Sequence, residues 1–583
     1  MERKFYTAER NVQIVIALLK ANGIKRVIAS PGTTNMTFVG SIQNDPFFEI
    51  YSSVDERSAA YLACGMASET GEPVVLSCTG ATASRNYMSG LTEAYYRKLP
   101  VLAITSHRGD YQIGHLIDQQ IDRRSLPNDI AMEHVVLPLV KDRNDEKLCT
   151  IEANKAILAL KLNGGGPAHI NMFTDYNPDF SVRELPPVRV IKRHTATEEL
   201  PVLKANGHIA VFVGVHRSFT EDEEQAIDDF CATHNAVVLC DQSSNFFGRY
   251  AAHMSLVYSQ EQWSSELRRV DLLIHIGEVT GDVYRMFPSR VWRVSEDGAL
   301  RDSFDKLTDV FMMTEKVFFT HYSQPGQQQQ GFLDACKASY DELFASIPEL
   351  PFSNVWMAQT LSPLLPKGCD IHLGIYNSLR SWNFFNLPDG VSAKCNVGGF
   401  GIDGGLSTMM GAAMARPDKL FFGVFGDLAF FYDMNVFGNR HVGNNVRLLL
   451  INNGKGNEFR LYCHPCHIFG QDAEPFMAAA GHYGNKSPQL VKHYAEDLGY
   501  EYISASTKEE FLQCVERFCN PSITEKSIVF EVFTDTESED SALRAIRGIK
   551  TDASVVVTKK LKETVRGMLG QTGVQTLKNI LKK

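Results

Sequence analysis

Two short stretches carry residues able to do chemistry. Gly426-Asp427 closes the apolar run from Leu420 to Phe425, and Asn452-Asn453 closes the run from Val446 to Ile451. Each run reads as a buried parallel strand that stops at a small or polar pair. In open α/β sheets, ligands sit beyond the carboxyl ends of such strands. Asp427 and Asn453, 26 residues apart, then become two hard oxygen donors on neighbouring strand ends. That donor set suits Mg²⁺, which takes few protein oxygens and completes its shell with phosphate and water.

The chain that must position them has 583 residues. At roughly 100–200 residues per domain this predicts about three or four domains. Its residues are 44% apolar and 22% charged, with no apolar run long enough for a membrane span. The net charge of −10 argues against a nucleic-acid partner. The N-terminal stretch mixes acids and bases and has no secretory pattern. The twelve cysteines are mostly scattered in apolar runs, as at Cys64, Cys78 and Cys240, which fits a reducing, cytoplasmic setting.

Strand-like runs alternate with helical patterns almost throughout, the signature of parallel α/β layers. A first block, 1–182, opens on a helix at Thr7–Asn22 and continues through the strands "RVIAS", "VVLSC" and "VLAIT". The Pro-rich, charged stretch 183–200 reads as a linker. A second block, 200–322, has the strands "HIAVFVG", "AVVLCD" and "DLLIHIG". The low-complexity "SQPGQQQQG" at 323–331 reads as a second linker, and the block 332–540 holds the Asp427 and Asn453 pairs. The remaining 541–583 has ten lysines and arginines against two acids. Leu561, Val565 and Met568 recur there at helical spacing, which predicts a basic, amphipathic helical extension.

Three features occur together and in a fixed order. They are Gly426-Asp427 through Asn452-Asn453; "SSVDERSAAYLACGMA" at 52–67, where Glu56 follows a strand and opens a helix of small residues; and "SPGTTN" at 30–35 with "SCTGATASRNYMSGLTEAYYRKLPVLAITSHR" at 77–108. In this order they resemble the thiamine-diphosphate enzymes of the acetohydroxyacid-synthase and decarboxylase type. "GDLAFFYDMN", "DERSA", "NSL" at 377–379 and "GIDGGLST" at 401–408 are most similar to the MenD family of menaquinone-pathway synthases, which act on 2-oxoglutarate and isochorismate.

The resemblance covers about residues 1–540. It implies three doubly wound parallel-sheet domains, pyrimidine-binding, middle and diphosphate-binding, followed here by the basic extension. It also implies thiamine diphosphate and Mg²⁺ as cofactors, with the ion held by Asp427, Asn453 and the main-chain carbonyl of Lys455. Asn377 and Ser378 match the family's pair beside the diphosphate. Gly426 and the N–H groups of Leu428 and Ala429, where a helix should start, add anion contacts. Ile402 matches the wedge that supports the folded cofactor. Glu56 matches the carboxyl that hydrogen-bonds the pyrimidine N1′ and promotes proton loss from the thiazolium carbon. Because the Glu and the metal residues come from different subunits in the family, the resemblance implies a homodimer with shared sites, or a tetramer built from such dimers.

The implied reaction is attack on a 2-oxo acid, loss of CO₂ to give an enamine (acyl carbanion), and transfer to an aldehyde or ketone acceptor. A simple decarboxylase would hand the same species a proton. The family's own synthase reaction and a non-catalytic protein of this fold are the further alternatives. Candidates for catalysis beside Glu56 are Gln119 and His115, in "IGHLIDQQ". Candidates for substrate contact are Thr34, His107, Arg108, Arg380, Asn457 and Arg460.

Two departures bear on the substrate. The family binds carboxylates with arginine, whose planar fork pairs with them bidentately. Its "SPGSR" is "SPGTT" here, with Thr34 at the arginine position, and its "NRG" is "NVG", with Val397 at another. These changes predict a MenD-like protein that does not make the menaquinone intermediate and takes a small or monoanionic donor instead.

Two motifs mimic other chemistries. Gly399, Gly401 and Gly404 spell the dinucleotide fingerprint, but "SAKCNVG" ahead of them is a poor strand. "CHPCH" at 463–467 has the haem c attachment pattern and offers possible zinc ligands. It follows the metal-binding Asn pair closely, where the family keeps a lid, so His464 and His467 are expected near substrate.

Overall fold

The computed structural model describes residues 5–281, 286–324, 326–482 and 487–552. The amphipathic face expected around Leu561, Val565 and Met568 lies outside the described residues. The chain forms two compact units, one of Met1–Glu198 with Asp297–Met312, the other of Glu199–Glu296 with the residues from Met313 on. Among the described residues, no helix is long and apolar enough to cross a membrane.

Each unit is built on parallel sheets with helices between the strands. In the first unit the strands are β1 (Arg26–Ala29), β2 (Glu49–Ser52), β3 (Val74–Thr79), β4 (Val101–His107), β5 (Glu133–Leu137) and β6 (Ala168–Phe173). Their order is β2–β1–β3–β4–β6–β5, with every pairing parallel. Central strands such as β3 and β4 are buried along nearly their whole length, which is why they read as continuous apolar runs. One face packs on Val12, Ile16 and Leu19 of helix Arg10–Ala21; the other packs on Ala59, Ala60 and Ala63 of helix Glu56–Thr70. The same unit holds β7 (Lys192–Thr195) and β13 (Leu307–Met312), paired in parallel.

The second unit contains β8 (Ile209–Val213), β9 (Val237–Cys240), β10 (Ala251–Ala252), β11 (Arg269–Ile276) and β12 (Phe287–Val294), in the parallel order β10–β9–β8–β11–β12. A further sheet follows, made of β14 (Asp370–Leu373), β15 (Ser392–Lys394), β16 (Phe421–Gly426), β17 (Val446–Asn452), β18 (Glu501–Ala505) and β19 (Ile528–Phe533). Its order is β15–β14–β16–β17–β19–β18. After β14 the chain moves to the β15 edge, then returns to β16 on the other side. The point between β14 and β16, where the direction of winding reverses, is where such sheets open a crevice at their carboxyl edge.

The stretch before the Gly399–Gly404 fingerprint does form a strand, contrary to its unpromising composition. That strand, β15, has three residues and lies at the sheet edge, where one partner suffices and little apolar surface is needed.

Candidate functional site

A cavity of about 320 Å³ opens in the second unit at the carboxyl ends of β14, β16 and β17. Its size is that of a small-molecule site. Asn377, Ser378 and Ile402 line it, as do Gly426, Asp427, Leu428 and Ala429, and then Asn453, Lys455 and Asn457. These ten residues singled out in the sequence, drawn from four separate segments, thus line one cavity.

The register explains part of this. Gly426 of β16 pairs with Ile451 of β17, so both strands end at the same level. Asp427 then starts helix Asp427–Asp433 directly at the strand end. Asp427 is 3% exposed. Burial pushes its carboxyl up to about 7, while the N–H groups of Leu428 and Gly454 pull the other way. A desolvated carboxyl in a cavity wall is suited to a cation.

The two asparagines divide the work. Asn452 points into the protein: its Nδ2 donates to buried Glu531 at 2.7 Å, and its Oδ1 accepts from the N–H of Gly454 at 3.1 Å. Asn453 faces the cavity, and its Oδ1 is buried with no hydrogen-bond partner among the described residues. An orphaned amide oxygen and a desolvated carboxyl on adjacent strand ends form an oxygen donor set that fits Mg²⁺. Both side-chain atoms of buried Asn457 are likewise without partners.

The lining also includes Asn354, His372 and Lys394, none of which the sequence singled out. Burial drives the His372 imidazole down to about 4 and also lowers the Lys394 ammonium, whose Nζ donates to Asn245 Oδ1 at 2.7 Å. Ser378 Oγ accepts from Asn354 Nδ2 at 3.2 Å, and Asn377 Nδ2 donates to buried Glu539 at 3.4 Å. Tyr376, just before Asn377, has φ +63°, a strained setting for a tyrosine.

Arg380 and Arg460 do not line the cavity. Arg380 grips Glu458 with both ends of its guanidinium, and Arg460 shares Glu474 with Lys455. His464 reaches the cavity, whereas His467 turns its Nδ1 to the carbonyl of Arg460 at 2.9 Å. Among the described residues, no group of three or more His, Cys, Asp and Glu gathers as metal ligands, so "CHPCH" does not converge on an ion.

In the first unit, Glu56 opens helix Glu56–Thr70, which Asp55 caps by accepting from the N–H of Ser58 at 3.1 Å. Gly90 lets the next helix approach: a Cβ there would lie 2.4 Å from the Ala60 Cβ and 2.9 Å from its backbone. Glu56 is half-buried, and its Oε2 accepts from Asn86 Nδ2 at 3.0 Å. Thr34 is buried at the reversal point between β1 and β3. Its hydroxyl donates to the Ser106 carbonyl at 3.0 Å and accepts from the N–H of Gly80 at 3.3 Å.

His107 is the last residue of β4 and is buried, its Nε2 2.9 Å from Asn171 Nδ2. Burial, together with the Arg123 charge, holds it down to about 3. It is neutral at ordinary pH and poorly placed to shuttle protons. His115 and Gln119 sit on an exposed loop, Gln119 with φ +60°. Arg108 reaches that loop by donating to the Asp118 carbonyl.

Residues 10–126 match the family model described as "Thiamine pyrophosphate enzyme, N-terminal TPP binding domain". This segment contains Thr34, Glu56, Gly80, Arg108 and Gln119. The chain is also 28% identical to the 2-succinyl-5-enolpyruvyl-6-hydroxy-3-cyclohexene-1-carboxylate synthase of Bacteroides fragilis, across 92% of this chain and 98% of that one. The chain is MenD-like. The proteins of the same name from Phocaeicola vulgatus and Flavobacterium psychrophilum are 28% and 26% identical to it, over 92% and 91% of this chain and 98% and 97% of theirs. The MenD-like sequence therefore runs through both units and spans the cavity as well as Glu56.

Proposed function

We propose that this MenD-like chain is a Mg²⁺-dependent lyase or carboligase that decarboxylates a 2-oxo acid and passes the acyl unit to an aldehyde or ketone. The observation that carries the proposal is the pairing, in one cavity, of the buried Asp427 carboxyl with the unpartnered Asn453 Oδ1. When bound, thiamine diphosphate supplies a nucleophilic thiazolium carbon and an electron sink for decarboxylation. Asp427, Asn453 and the Lys455 carbonyl would hold the metal. Asn377, Ser378 and the N–H groups of Leu428 and Ala429 would take the diphosphate, and Ile402 would support the rings. Glu56 would hold a proton against the pyrimidine ring. Its place in the other unit's sequence fits a homodimer in which the two halves of each site come from different copies.

The substrate end favours a donor with one carboxylate. Arg380 is neutralised by Glu458, Thr34 spends its hydroxyl inside the fold, and Val397 is 1% exposed. Asn457, with both amide atoms free, and His464 remain to meet the substrate.

A second reading, the reaction for which the relatives are named, is favoured by likeness along nearly the whole chain. The test is circular dichroism or fluorescence on adding thiamine diphosphate with Mg²⁺, followed by CO₂ release from a series of 2-oxo acids with and without aldehydes. Turnover of a monocarboxylic 2-oxo acid is expected. Robust turnover of 2-oxoglutarate with isochorismate would favour the second reading, and absence of cofactor uptake would overturn both.

A further inference from the structure

Helix Thr536–Arg547 is capped by Asp535, whose side chain accepts from the N–H of Ser538. Glu539 points inward from it and is 1% exposed. Its Oε1 accepts from the N–H of Asn354 at 3.0 Å and from the Thr534 hydroxyl at 3.1 Å. Its Oε2 accepts from Asn377 Nδ2 at 3.4 Å. Asn354 in turn holds Ser378. One buried carboxyl thus sits directly behind three residues of the cavity wall, and none of the mechanism above uses it.

We propose that Glu539 is a positioning residue, fixing Asn354 and Asn377 so that this end of the cavity takes a diphosphate. The inference rests on the cavity being the cofactor site.

An ionised carboxylate so close behind an anion site would repel the ligand. Burial lifts the Glu539 carboxyl to about 7, and the nearby Asp535 charge acts the same way, against its three donors. Other charges on the elements packed around it are Glu537, Asp540, Arg544 and Arg547 on its own helix, Glu458 and Arg460 on Asn457–Arg460, and Arg380 on Asn377–Trp382, which is committed to Glu458. Helix Asn354–Leu361 brings no ionisable side chain. With the diphosphate bound, Glu539 keeps its proton. Affinity therefore falls as pH rises through about 7.

The experiment measures thiamine diphosphate affinity of the full chain with Mg²⁺ by calorimetry across that pH range, for the wild type, Glu539→Gln, Glu539→Ala and Asp427→Asn. Glu539→Ala is expected to weaken binding by about tenfold or more. Glu539→Gln, which keeps an acceptor oxygen and cannot ionise, should bind like the wild type at the acid end and lose its decline above about 7. Taking the ratio of these two isolates Glu539, because Asp427 is present in both. Alanine binding within about twofold of the wild type, or an unchanged decline in Glu539→Gln, overturns the inference. If Glu539→Ala does not fold, the Glu539→Gln profile still decides. If the wild type takes up no cofactor, the cavity assignment fails and carries this inference with it. If the wild type binds, Asp427→Asn does not, and the Glu539 variants match the wild type, only the inference fails.

Discussion

Arg380 holds Glu458 through both arms of its guanidinium, at 3.0 and 2.7 Å, with each side chain at most 20% exposed. An arginine so engaged is not free to bind a substrate carboxylate. Arg380→Ala should destabilise the protein by about 2–3 kcal/mol, because it leaves Glu458 largely desolvated without its partner. The double variant with Glu458→Ala should cost less than the two single losses added together. Urea unfolding measures this, and strict additivity would show that the pair is not coupled.

Glu56→Gln should leave thiamine diphosphate binding within about threefold, since the amide still hydrogen-bonds. It should slow hydrogen–deuterium exchange at the thiazolium carbon by about 10²–10⁴-fold. NMR of the bound cofactor reads both, and unchanged exchange would remove Glu56 from its proposed role.

Asp427 sets a pH dependence in the cofactor-free protein. Its folded value of about 7 lies above the ordinary 3.8, so folding strengthens proton binding at this group. Its stabilising share is complete below the ordinary value and is lost as pH rises through about 7. Over that window the loss is roughly 4 kcal/mol, taking about 1.4 kcal/mol per unit. Asp427→Asn should flatten this part of the stability profile, as followed by thermal unfolding against pH.

Gly90→Ala should cost about 1–3 kcal/mol, because the added carbon meets the Ala60 backbone and cannot be relieved by a rotamer change. The helix that carries Glu56 must shift, so C2 exchange should slow as well. A variant as stable as the wild type would show that the helices have room to part.

Putting arginine back at position 34 or 397 should not create a dicarboxylate site. Thr34→Arg breaks the hydroxyl's two hydrogen bonds, and Val397→Arg enlarges a fully buried side chain packed so near Gly281 that a Cβ there would lie 2.8 Å from it. Each should lower stability by at least about 2 kcal/mol without raising 2-oxoglutarate turnover. Folded variants that gain this turnover would show that the missing arginines alone decide the substrate.

Local patterns made much of this legible. Apolar runs that stop at Gly-Asp and Asn-Asn mark strand ends, and strand ends mark the crevice, so Asp427 and Asn453 could be found without coordinates. Asymmetry within the Asn pair could not, since Asn452 turns inward only because Glu531 waits on the neighbouring strand. Glu539 lies in an acidic stretch that reads as solvated surface, and its two partners in the cavity lining are 185 and 162 residues away. His107 looks like a reactive histidine at a strand end, yet burial and the Arg123 charge make it a neutral part of the core. Arg380 looks available until the fold delivers Glu458 from 78 residues along. In each case the deciding partner is remote in sequence.

Glu539 and its neighbour Asp540 face different parts of the second unit: one holds Asn354 and Asn377, the other accepts the Tyr462 N–H at 2.6 Å. Both lie on a helix that leaves the ribosome after Asn354, Asn377 and Tyr462. During synthesis the β14–β17 crevice can assemble before its asparagines are oriented and before Tyr462 is tied down. A nascent chain halted just short of Thr536 should thus own the Asp427 carboxyl but not the oriented Asn354 and Asn377, which makes this helix the last catch to engage.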